Sequence, residues 1–387
     1  MSVKTPIYLD SNSTTQIDKR VVEFMLPYLT ERYGNSSSNH SFGWITKSAV
    51  ENARDIIADF LKVNSKEIVF TSGATESINI VHLGLLNYLS ENNGSVITSN
   101  IEHSASMESL AYMANLGIRV NVVPVSVDGT IDVDRVSSLI DENTKFISLI
   151  YANNEIGTIN DIESIGNICN EKGILFHIDA TQVVGKIRVN FSNLNADFVS
   201  FTAHKLYGPK GIGALYVRKN HNKKFIKNIL FGGTQEDNIR PGTLNVPAIV
   251  GFGKAIEILD AELESDYEFT KSLRDSFYKK IISNLEDVSI NGSITKRLPN
   301  NLNLLIEKVK AEKLMLELRD LAFSNSSACA SGSTKPSRIL KAIGLNDEQA
   351  LSSVRFGISK FNTIDEINYA ADRIIEAVGK IRHLIHQ

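Results

Sequence analysis

The sequence predicts an α/β protein, in which a largely parallel sheet is covered by helices on both sides and joined to a smaller α+β unit. Two observations lead to this prediction. Between about residues 65 and 220, short apolar runs alternate with amphipathic helical patterns, which is typical of a parallel sheet with crossover helices. After about residue 250 the alternation stops, and a long helical pattern leads into a shorter mixed segment.

Seven strands of the sheet are predicted from short runs rich in apolar and β-branched residues. They lie at 67–71, 95–100, 119–125, 145–151, 174–180, 196–201 and 213–217. Helical patterns separate them, for example over 76–89 and over 162–173, where three isoleucines and Cys169 share one face. Strands that are apolar along most of their length fit a sheet covered on both sides.

The smaller unit is predicted from the pattern after residue 250. Its expected elements are a long helix over 247–285, strands near 302–306 and 353–358, and a closing helix over 363–384. We expect the first dozen residues to complete this unit. The predicted division is a large domain at 15–258 and a small domain formed by 1–14 and 259–387, which carries Cys329.

The composition excludes several classes of protein. The chain has 41 lysines and arginines against 44 aspartates and glutamates, so neither an extended basic surface for nucleic acid nor an acidic tail is expected. No apolar run approaches the ~20 residues of a membrane span, and no signal-peptide pattern opens the chain. We expect a cytoplasmic protein, without a metal site, in which Cys169 and Cys329 are reduced thiols.

Small residues follow the first strand of the sheet, where a ligand would lie. Ligands of open α/β sheets bind at the carboxyl ends of the strands. Gly73, Ala74 and Thr75 come directly after the strand at 67–71 and open a helix, so their backbone N–H groups would suit a phosphate. The alternative is an ordinary helix start capped by Ser72 or by Thr75.

Two charged residues follow other strands of the sheet. Asp179 ends an apolar strand, where a carboxylate needs a partner such as a cationic ring nitrogen of a ligand; the alternative is an aspartate that caps the next turn. Lys205 precedes a turn rich in Gly and Pro, and a lysine in a partly desolvated cleft can attack an aldehyde; the alternative is a solvated surface lysine. A phosphate cradle, an acid and such a lysine are together what pyridoxal phosphate requires.

A cysteine in a run of small residues raises a further question. Cys329 lies in "SNSSACASGS" (324–333), which has no bulky side chain that would bury the thiol. Free cysteines are usually small buried apolar residues, and Cys169 is interpreted in that way. The serines and the glycine around Cys329 favour an exposed thiol on a flexible loop.

Eight motifs, spread in order over almost the whole chain, carry a resemblance to a known family. They are "TSGATES", "EHSASMES", "NNEIG", "FHIDATQVVGK", "SFTAHKLYGPKGIGALYV", "RPGTLNV", "SSACASGS" and "SSVRFGISKFNT". With these motifs the sequence resembles the cysteine desulfurases of the bacterial NifS- and IscS-like group, which belong to the class-V aminotransferase superfamily. The resemblance implies a fold-type I transferase and the cofactor pyridoxal 5'-phosphate.

The resemblance also implies roles for residues at the cofactor ring. Lys205 would bond covalently to the cofactor, and Asp179 would keep its ring nitrogen protonated. Gln182 would donate a hydrogen bond to the ring oxygen. His103 would stack on the ring and move protons, although a histidine at this position could otherwise be an ordinary surface residue.

Further roles concern the phosphate and the substrate. The residues expected at the phosphate are Gly73, Ala74, Thr75, Thr202 and His204, with Thr243 reaching across from the partner subunit of a homodimer. Asn154 would contact the cofactor or the substrate. Arg355 would bind the substrate carboxylate as a bidentate pair, although an arginine on a strand more often forms a surface salt bridge.

The implied reaction converts L-cysteine to L-alanine and leaves the sulfur on Cys329 as a persulfide, which an acceptor protein then receives. Three uses of the sulfur stay open: iron–sulfur cluster assembly, tRNA thiolation and DNA phosphorothioation. Ser36, Pro241 and Asn325 depart from the residues that the iron–sulfur enzymes usually have at these positions. Neither direct nucleic-acid binding nor membrane binding is expected.

Two other classes of function remain as alternatives. An aminotransferase or a selenocysteine lyase would share Lys205 and Asp179 but would not require Cys329 for turnover of cysteine. A non-enzymatic scaffold with the same fold would need a broken catalytic set, and the set in this sequence is intact.

Overall fold

The computed structural model describes residues 3–218, 224–325 and 335–385, and it confirms the predicted α/β class. Its strands are β1 (Ile7–Tyr8), β2 (Ile68–Thr71), β3 (Ser95–Ser99), β4 (Arg119–Val123), β5 (Thr144–Ile150), β6 (Leu175–Asp179), β7 (Phe198–Thr202), β8 (Gly213–Val217), β9 (Val288–Ile290), β10 (Asn301–Ile306), β11 (Leu321–Ala322), β12 (Ser324–Asn325) and β13 (Ser353–Gly357). Its helices are α1 (Lys19–Thr30), α2 (Ser41–Leu61), α3 (Ala74–Gly84), α4 (Leu86–Glu91), α5 (Ser104–Asn115), α6 (Val133–Ser138), α7 (Ile162–Lys172), α8 (Val246–Ile282), α9 (Ala311–Glu317), α10 (Arg338–Ala342), α11 (Asp347–Leu351) and α12 (Ile364–Ile385).

The large sheet has seven strands within the described ranges, in the order β2-β8-β7-β6-β5-β3-β4. Its neighbouring strands are parallel except where β8 is involved, because β8 runs antiparallel to both β2 and β7. The predicted strands lie within two residues of the observed ones. Since β5, β6 and β7 are parallel neighbours, their carboxyl ends meet at one edge of the sheet, where ligands bind in such folds.

One predicted helix differs from the observed structure. The pattern over 76–89 predicts a single helix, but the chain forms α3 and α4 with a break near Gly84. The carbonyl of Gly84 accepts a hydrogen bond from the N–H of Lys227, 2.8 Å away, and Ile226 packs where a side chain at Gly84 would lie. A contact with a distant segment therefore interrupts the helix, which the local pattern could not show.

Both faces of the sheet are covered, as the apolar strands predict. Adjacent residues of β5 point to opposite faces: Ile147 belongs to the core under α2 and α8, and Phe146 belongs to the core under α3 and α5. Cys169 on α7 is fully buried in the first of these cores, which confirms its interpretation as a small apolar residue.

A second core lies in the smaller unit. The antiparallel sheet β12-β13-β10-β9 packs with α9, α12 and the end of α8, and Phe277, Leu302 and Phe356 are among its buried side chains. β1 pairs in parallel with β11, and the side chains of Ile7 and Leu9 are buried in this core.

The two cores share one helix. The 37 residues of α8 contribute Leu259 and Leu263 to the large core and Leu273 and Phe277 to the small one. The helix therefore runs without interruption past the proposed boundary at residue 258, and the division of domains stays a prediction.

In the described part of the chain, no helix is both long enough and apolar enough to span a membrane.

Candidate active site

A cavity of about 520 Å³ lies at the carboxyl ends of β6 and β7. Most of the residues that the sequence predicted for a site line this cavity. They are Gly73, Ala74, Thr75, His103, Asn154, Asp179, Gln182, Thr202, His204, Lys205 and Arg355. Polar residues from strands far apart in the sequence therefore converge at the edge of the sheet where the fold predicts a ligand.

One end of the cavity is suited to an anion. Gly73 is the N-cap of α3 and provides no side-chain cap, so the alternative of a helix capped by Ser72 or Thr75 is wrong. The first N–H groups of α3 and its dipole are thus available to a phosphate. Thr202 and His204 lie at the end of β7 beside this helix start.

His204 lies at the same end of the cavity, and its imidazole is uncharged near pH 7. Burial, together with the positive charges of Lys205 and Lys210, lowers its pKa to about 4. Its Nδ1 lies 3.2 Å from the hydroxyl oxygen of Thr14. A neutral imidazole can donate one hydrogen bond to a phosphate without adding a charge.

Asp179 ends β6 and is almost fully buried. One of its carboxylate oxygens accepts a hydrogen bond from the N–H of Thr181 at 3.0 Å, so the aspartate does cap the following turn. It also lines the cavity. The two interpretations of Asp179 are therefore compatible, since the turn fixes a carboxylate that still faces a ligand.

Lys205 is held by the beginning of the chain and is not a solvated surface lysine. Its Nζ donates hydrogen bonds to the carbonyl oxygens of Asn12 and Ser13, both at 2.6 Å. The side chain of Gln182 donates to the same Asn12 carbonyl at 3.0 Å. Thr15 fixes the turn around the lysine, because its hydroxyl donates to the carbonyl of His204 and accepts from the residue two positions after Lys205.

Arg355 lies on β13 and is only 1% exposed, so the alternative of a surface salt bridge is wrong. Its Nη2 donates to Asp10 at 2.8 Å and to the hydroxyl of Ser13 at 2.6 Å, and its Nη1 donates to the carbonyl of Asn154 at 3.2 Å. Its Nε has no hydrogen-bond partner among the described residues. The guanidinium is therefore fixed from two sides and retains hydrogen-bonding capacity toward the cavity.

His103 is the N-cap of α5 and is partly buried beside the cavity. Its Nδ1 accepts a hydrogen bond from the N–H of Ala105 at 3.1 Å, so in the neutral ring the proton is assigned to Nε2. Burial lowers the pKa of His103; Asp179 opposes this shift and Lys205 adds to it. The ring is therefore neutral near pH 7 and can accept or return a proton.

Sequence reasoning missed the segment Asp10–Thr15 and Glu102. The polar run "DSNSTT" after two apolar residues was the available signal for the segment. Glu102 is buried, accepts hydrogen bonds from Ser99 at 2.5 Å and from the N–H of Ile150 at 3.0 Å, and has its pKa raised by burial to about 8. It directly precedes His103, so its hydrogen bonds fix the backbone beside a residue that lines the cavity.

Two residues that the sequence predicted for the site are not among the described residues that line this cavity. Thr243 is exposed and does not line it. Cys329 lies outside the described residues. The roles of both residues stay predictions.

The residues present fit pyridoxal phosphate. The helix start and the imidazole of His204 offer donors for a phosphate, and a buried acid and one lysine amine line the same cavity. Several buried polar atoms at the cavity, namely the side-chain amide of Asn12, the hydroxyl of Thr181 and Nε of Arg355, lack partners within the described chain. Such unsatisfied groups are expected where a polar ligand belongs.

Comparisons with known proteins agree with this chemistry. The family model described as aminotransferase class-V matches residues 7–369. The cysteine desulfurase IscS of Neisseria meningitidis is 44% identical over 385 residues, which cover 99% of this chain and 95% of that protein. A solved NifS-like protein has a TM-score of 0.89 at 34% identity, covering 96% of this chain and 99% of its own. SspA in complex with cysteine has a TM-score of 0.82 at 34% identity, covering 92% and 99%.

A match of this extent determines the family. The family model covers nearly the whole chain, and the relative from Neisseria meningitidis aligns along almost its full length. Six of the eight motifs that carried the resemblance contribute residues to the cavity; "RPGTLNV" does not, and "SSACASGS" lies outside the described residues. The chain therefore belongs to the class-V aminotransferase family, as a member of its group of pyridoxal-phosphate-dependent cysteine desulfurases.

Proposed function

We propose that the protein converts L-cysteine to L-alanine, moves the sulfur to Cys329 as a persulfide, and passes it on to an acceptor protein. The observation that carries this proposal is the convergence of Lys205, Asp179 and Arg355 on one cavity. An amine, a buried acid and a fixed guanidinium provide for the cofactor, its ring nitrogen and an amino-acid carboxylate, respectively. The solved relative SspA was captured with cysteine, which supports this choice of substrate.

Each of these residues has a definite task in the proposed reaction. When bound, pyridoxal phosphate withdraws electrons from the substrate Cα. Arg355 binds the substrate carboxylate and fixes the Cα beside Lys205, whose Nζ removes the Cα proton. The carbonyls of Asn12 and Ser13 orient that Nζ. His103, neutral and protonated on Nε2, is placed to exchange protons with the substrate.

The sulfur step assigns the second half of the reaction to Cys329. Its thiolate attacks the substrate sulfur and the carbon–sulfur bond breaks with its electron pair going to carbon. One proton delivered to that carbon and one returned to Cα give alanine. The sulfur stays on Cys329 as a persulfide. A thiol acceptor on another protein then takes it by the same kind of exchange.

A homodimer is part of the proposal. Thr243 is exposed and away from the cavity of its own chain, which is compatible with a contact to the phosphate in a second subunit. The apolar side chains of Phe24 and Leu29 on α1 and of Phe42 and Trp44 on α2 are also exposed. Exposed apolar residues concentrated on adjacent helices are typical of an interface, and a twofold dimer would complete two sites at once.

The deciding experiment replaces Cys329 with alanine in the holoenzyme. We expect Cys329→Ala to keep its yellow colour and its spectral response to cysteine, because Lys205, Asp179 and Arg355 are unchanged. Alanine and sulfide formation should fall at least about 100-fold. Mass spectrometry of wild-type protein treated with cysteine should find one added sulfur, on Cys329.

Cys169→Ala is the matched control. Burial raises the pKa of the Cys169 thiol to about 12, so this residue should neither carry sulfur nor affect turnover. Turnover by Cys329→Ala at the wild-type rate would contradict the proposal and would favour an aminotransferase or a selenocysteine lyase. Sulfur mapped to Cys169 would contradict it as well.

The acceptor is proposed only as a protein thiol. Iron–sulfur cluster assembly, tRNA thiolation and DNA phosphorothioation are the three uses to be separated, by identifying the proteins that purify with the native enzyme from its own cells. The cytoplasmic location also stays a prediction.

A further inference from the structure

A short segment of the chain is attached on both sides of the turn where the cofactor phosphate is expected. The segment is 235–240, named here the clamp segment. Its Glu236 binds β2, the strand before the turn, and its Arg240 binds α3, the helix after the turn. The turn itself, at 72–75, lines the cavity.

Glu236 attaches the clamp segment to β2. Its carboxylate accepts a hydrogen bond from the N–H of Phe70 at 2.7 Å and pairs with Arg54 at 2.7 Å, and its side chain is only 2% exposed. Glu236, Asp237 and Asn238 have φ angles of 48°, 53° and 65°, which residues other than glycine rarely adopt. Such a backbone persists where surrounding contacts hold it, and the buried bonds of Glu236 do so independently of Arg240.

Arg240 attaches the same segment to α3. Its Nε donates a hydrogen bond to Oε1 of Glu76 at 3.1 Å. The other carboxylate oxygen of Glu76 accepts from the N–H of Ser72, in the turn before the helix. Glu76 lines the cavity and Arg240 does not, so Arg240 reaches the site only through this carboxylate.

Glu76 brings a negative charge to the end of the cavity where the phosphate is expected. It is the acidic residue in the first turn of α3, directly after Thr75. Burial would raise the pKa of Glu76, but hydrogen bonds from Ser72 and Arg240 lower it below its ordinary value, so the carboxylate is ionised near pH 7. A carboxylate here interacts with the helix dipole itself and repels a phosphate at the same helix start.

The guanidinium of Arg240 balances this negative charge. The side chains of Arg240 and Glu76 are only 26% and 17% exposed, so solvent screens their charges incompletely. With both residues present, the pair adds no net charge beside the helix start. Without Arg240 the pair would add one negative charge, and without Glu76 it would add one positive charge.

We propose that Arg240 is a positioning residue for the cofactor, which neutralises Glu76 and so allows the first turn of α3 to bind the phosphate. This inference rests on the predicted phosphate site at Gly73, Ala74 and Thr75, which is part of the proposed function. Because Arg240 acts through a charge, the affinity for the phosphate should follow the net charge of the Arg240–Glu76 pair. It should not follow the number of hydrogen bonds that the pair retains.

The experiment measures two dissociation constants for the full chain after removal of its cofactor, by absorbance titration. One ligand is pyridoxal 5'-phosphate, and the other is pyridoxal, which has the same aldehyde and ring but no phosphate. We expect Arg240→Gln to bind pyridoxal 5'-phosphate at least about tenfold more weakly than the wild type, because the unbalanced carboxylate of Glu76 repels the phosphate. The dissociation constant of pyridoxal should stay within about twofold.

Two further variants separate the charge of the pair from its contacts. Glu76→Gln leaves the positive charge of Arg240 in place, so it should bind pyridoxal 5'-phosphate as tightly as the wild type or more tightly. The double variant Arg240→Gln/Glu76→Gln removes both charges and should return to within about threefold of the wild type. A merely structural contact would instead weaken binding in all three variants.

Arg119→Gln is the matched control. It removes a cation from an ion pair with Asp141, and neither of these residues lines the cavity. Both of its dissociation constants should match those of the wild type. If Arg240→Gln does not fold, the inference is judged on Glu76→Gln, and weaker binding of pyridoxal 5'-phosphate by that variant would overturn it.

The outcomes separate this inference from the proposed function. Binding of pyridoxal 5'-phosphate by Arg240→Gln within about threefold of the wild type would overturn the inference. An equal loss of affinity for pyridoxal, or a double variant that binds as weakly as Arg240→Gln, would overturn it as well. A wild-type protein that binds pyridoxal 5'-phosphate no more tightly than pyridoxal would instead contradict the phosphate site of the proposed function.

Discussion

Two groups of buried polar side chains in this molecule differ in how completely their hydrogen bonds are satisfied. In the interior, a chain of hydrogen bonds runs Ser109–His82–Ser148–His177–Ser200, with distances of 2.7, 2.9, 2.9 and 2.9 Å. Both imidazoles are fully buried, and every ring nitrogen has a hydroxyl partner. The chain crosses from α5 and α3 to three neighbouring strands, and it joins these elements without leaving any space for a ligand.

The groups at the cavity present the opposite case. Nε of Arg355, the side-chain amide of Asn12 and the hydroxyl of Thr181 have no partner among the described residues. Unsatisfied buried groups destabilise a fold, by roughly 1–3 kcal/mol each, unless a ligand or water satisfies them. The difference teaches that buried polar side chains whose hydrogen bonds are all satisfied form a structural network. Buried polar atoms that lack hydrogen-bond partners beside a cavity indicate a binding site. Substitutions in the two regions should therefore change different properties.

The largest effect is expected at the cavity, for Lys205→Ala. Turnover of cysteine should fall at least about 1,000-fold, because the amine that bonds to the cofactor and removes the Cα proton is lost. The free energy of unfolding of the cofactor-free protein should fall by only about 1–2 kcal/mol, since two hydrogen bonds to backbone carbonyls are lost and Asn12 keeps its other one, from Gln182. Borohydride treatment followed by peptide mapping should fix the cofactor on Lys205 in the wild type and nowhere in the variant. Turnover in the variant, or cofactor fixed on another lysine, would contradict the assignment.

A smaller effect, on stability instead of turnover, is expected for His82→Leu. This substitution removes two buried hydrogen bonds, to the hydroxyls of Ser109 and Ser148, which should lower the free energy of unfolding by about 2–3 kcal/mol. Denaturant unfolding measures this loss, and kcat/KM should stay within about threefold. Ser148 keeps its hydrogen bond to Nδ1 of His177, so the rest of the chain of hydrogen bonds should stay intact. If His82→Leu loses activity but keeps its stability, this would contradict the proposed difference between the interior hydrogen-bond network and the cavity.

The smallest effect concerns the pH dependence of that same histidine. Burial lowers the pKa of His82 to about 3, so below its unfolded value near 6.5 the unfolded chain binds a proton that the native protein does not. Stability should therefore fall as the pH drops, by about 1.4 kcal/mol from this one group at pH 5.5. Burial also lowers the pKa of His177, and burial raises that of Glu102 to about 8; both groups remain in the variant.

The measurement is the change in unfolding free energy between pH 7.5 and 5.5 for the wild type, minus the same change for His82→Leu. This difference isolates His82, because the other buried groups contribute to both proteins. An equal pH dependence of the two proteins would mean that His82 is protonated in the native state, and the interior chain would then not be the neutral network described above.

Much of the part of the site that the large sheet carries could be predicted, because short stretches of the sequence indicate it. A fully buried parallel strand is a continuous apolar run, and a polar residue at its end stands out, as Asp179 and Lys205 do. Arg355 and His103 were assigned only through the resemblance to a family, since neither has a distinctive local pattern. The buried hydrogen bonds of Arg355 depend on contacts with residues far away in the sequence.

The Asp10–Thr15 segment could not be predicted as part of the site for the same reason. It binds Lys205 and Arg355 through contacts across 193 and 345 positions of the chain. No periodicity or turn signal reports a contact at such separation. The break of the predicted helix at Gly84 has the same origin, a hydrogen bond from a distant N–H.

The position of that segment also links the site to the order in which the polypeptide is synthesised. Asp10 pairs with Gly357 and Arg355 on β13, a strand that follows the whole large sheet in the sequence. Asn12 and Ser13 of the same segment accept hydrogen bonds from Lys205, which the large sheet carries. A nascent chain can therefore assemble the large sheet with Asp179 and Lys205 before Arg355, the residue proposed to bind the substrate carboxylate, has been synthesised.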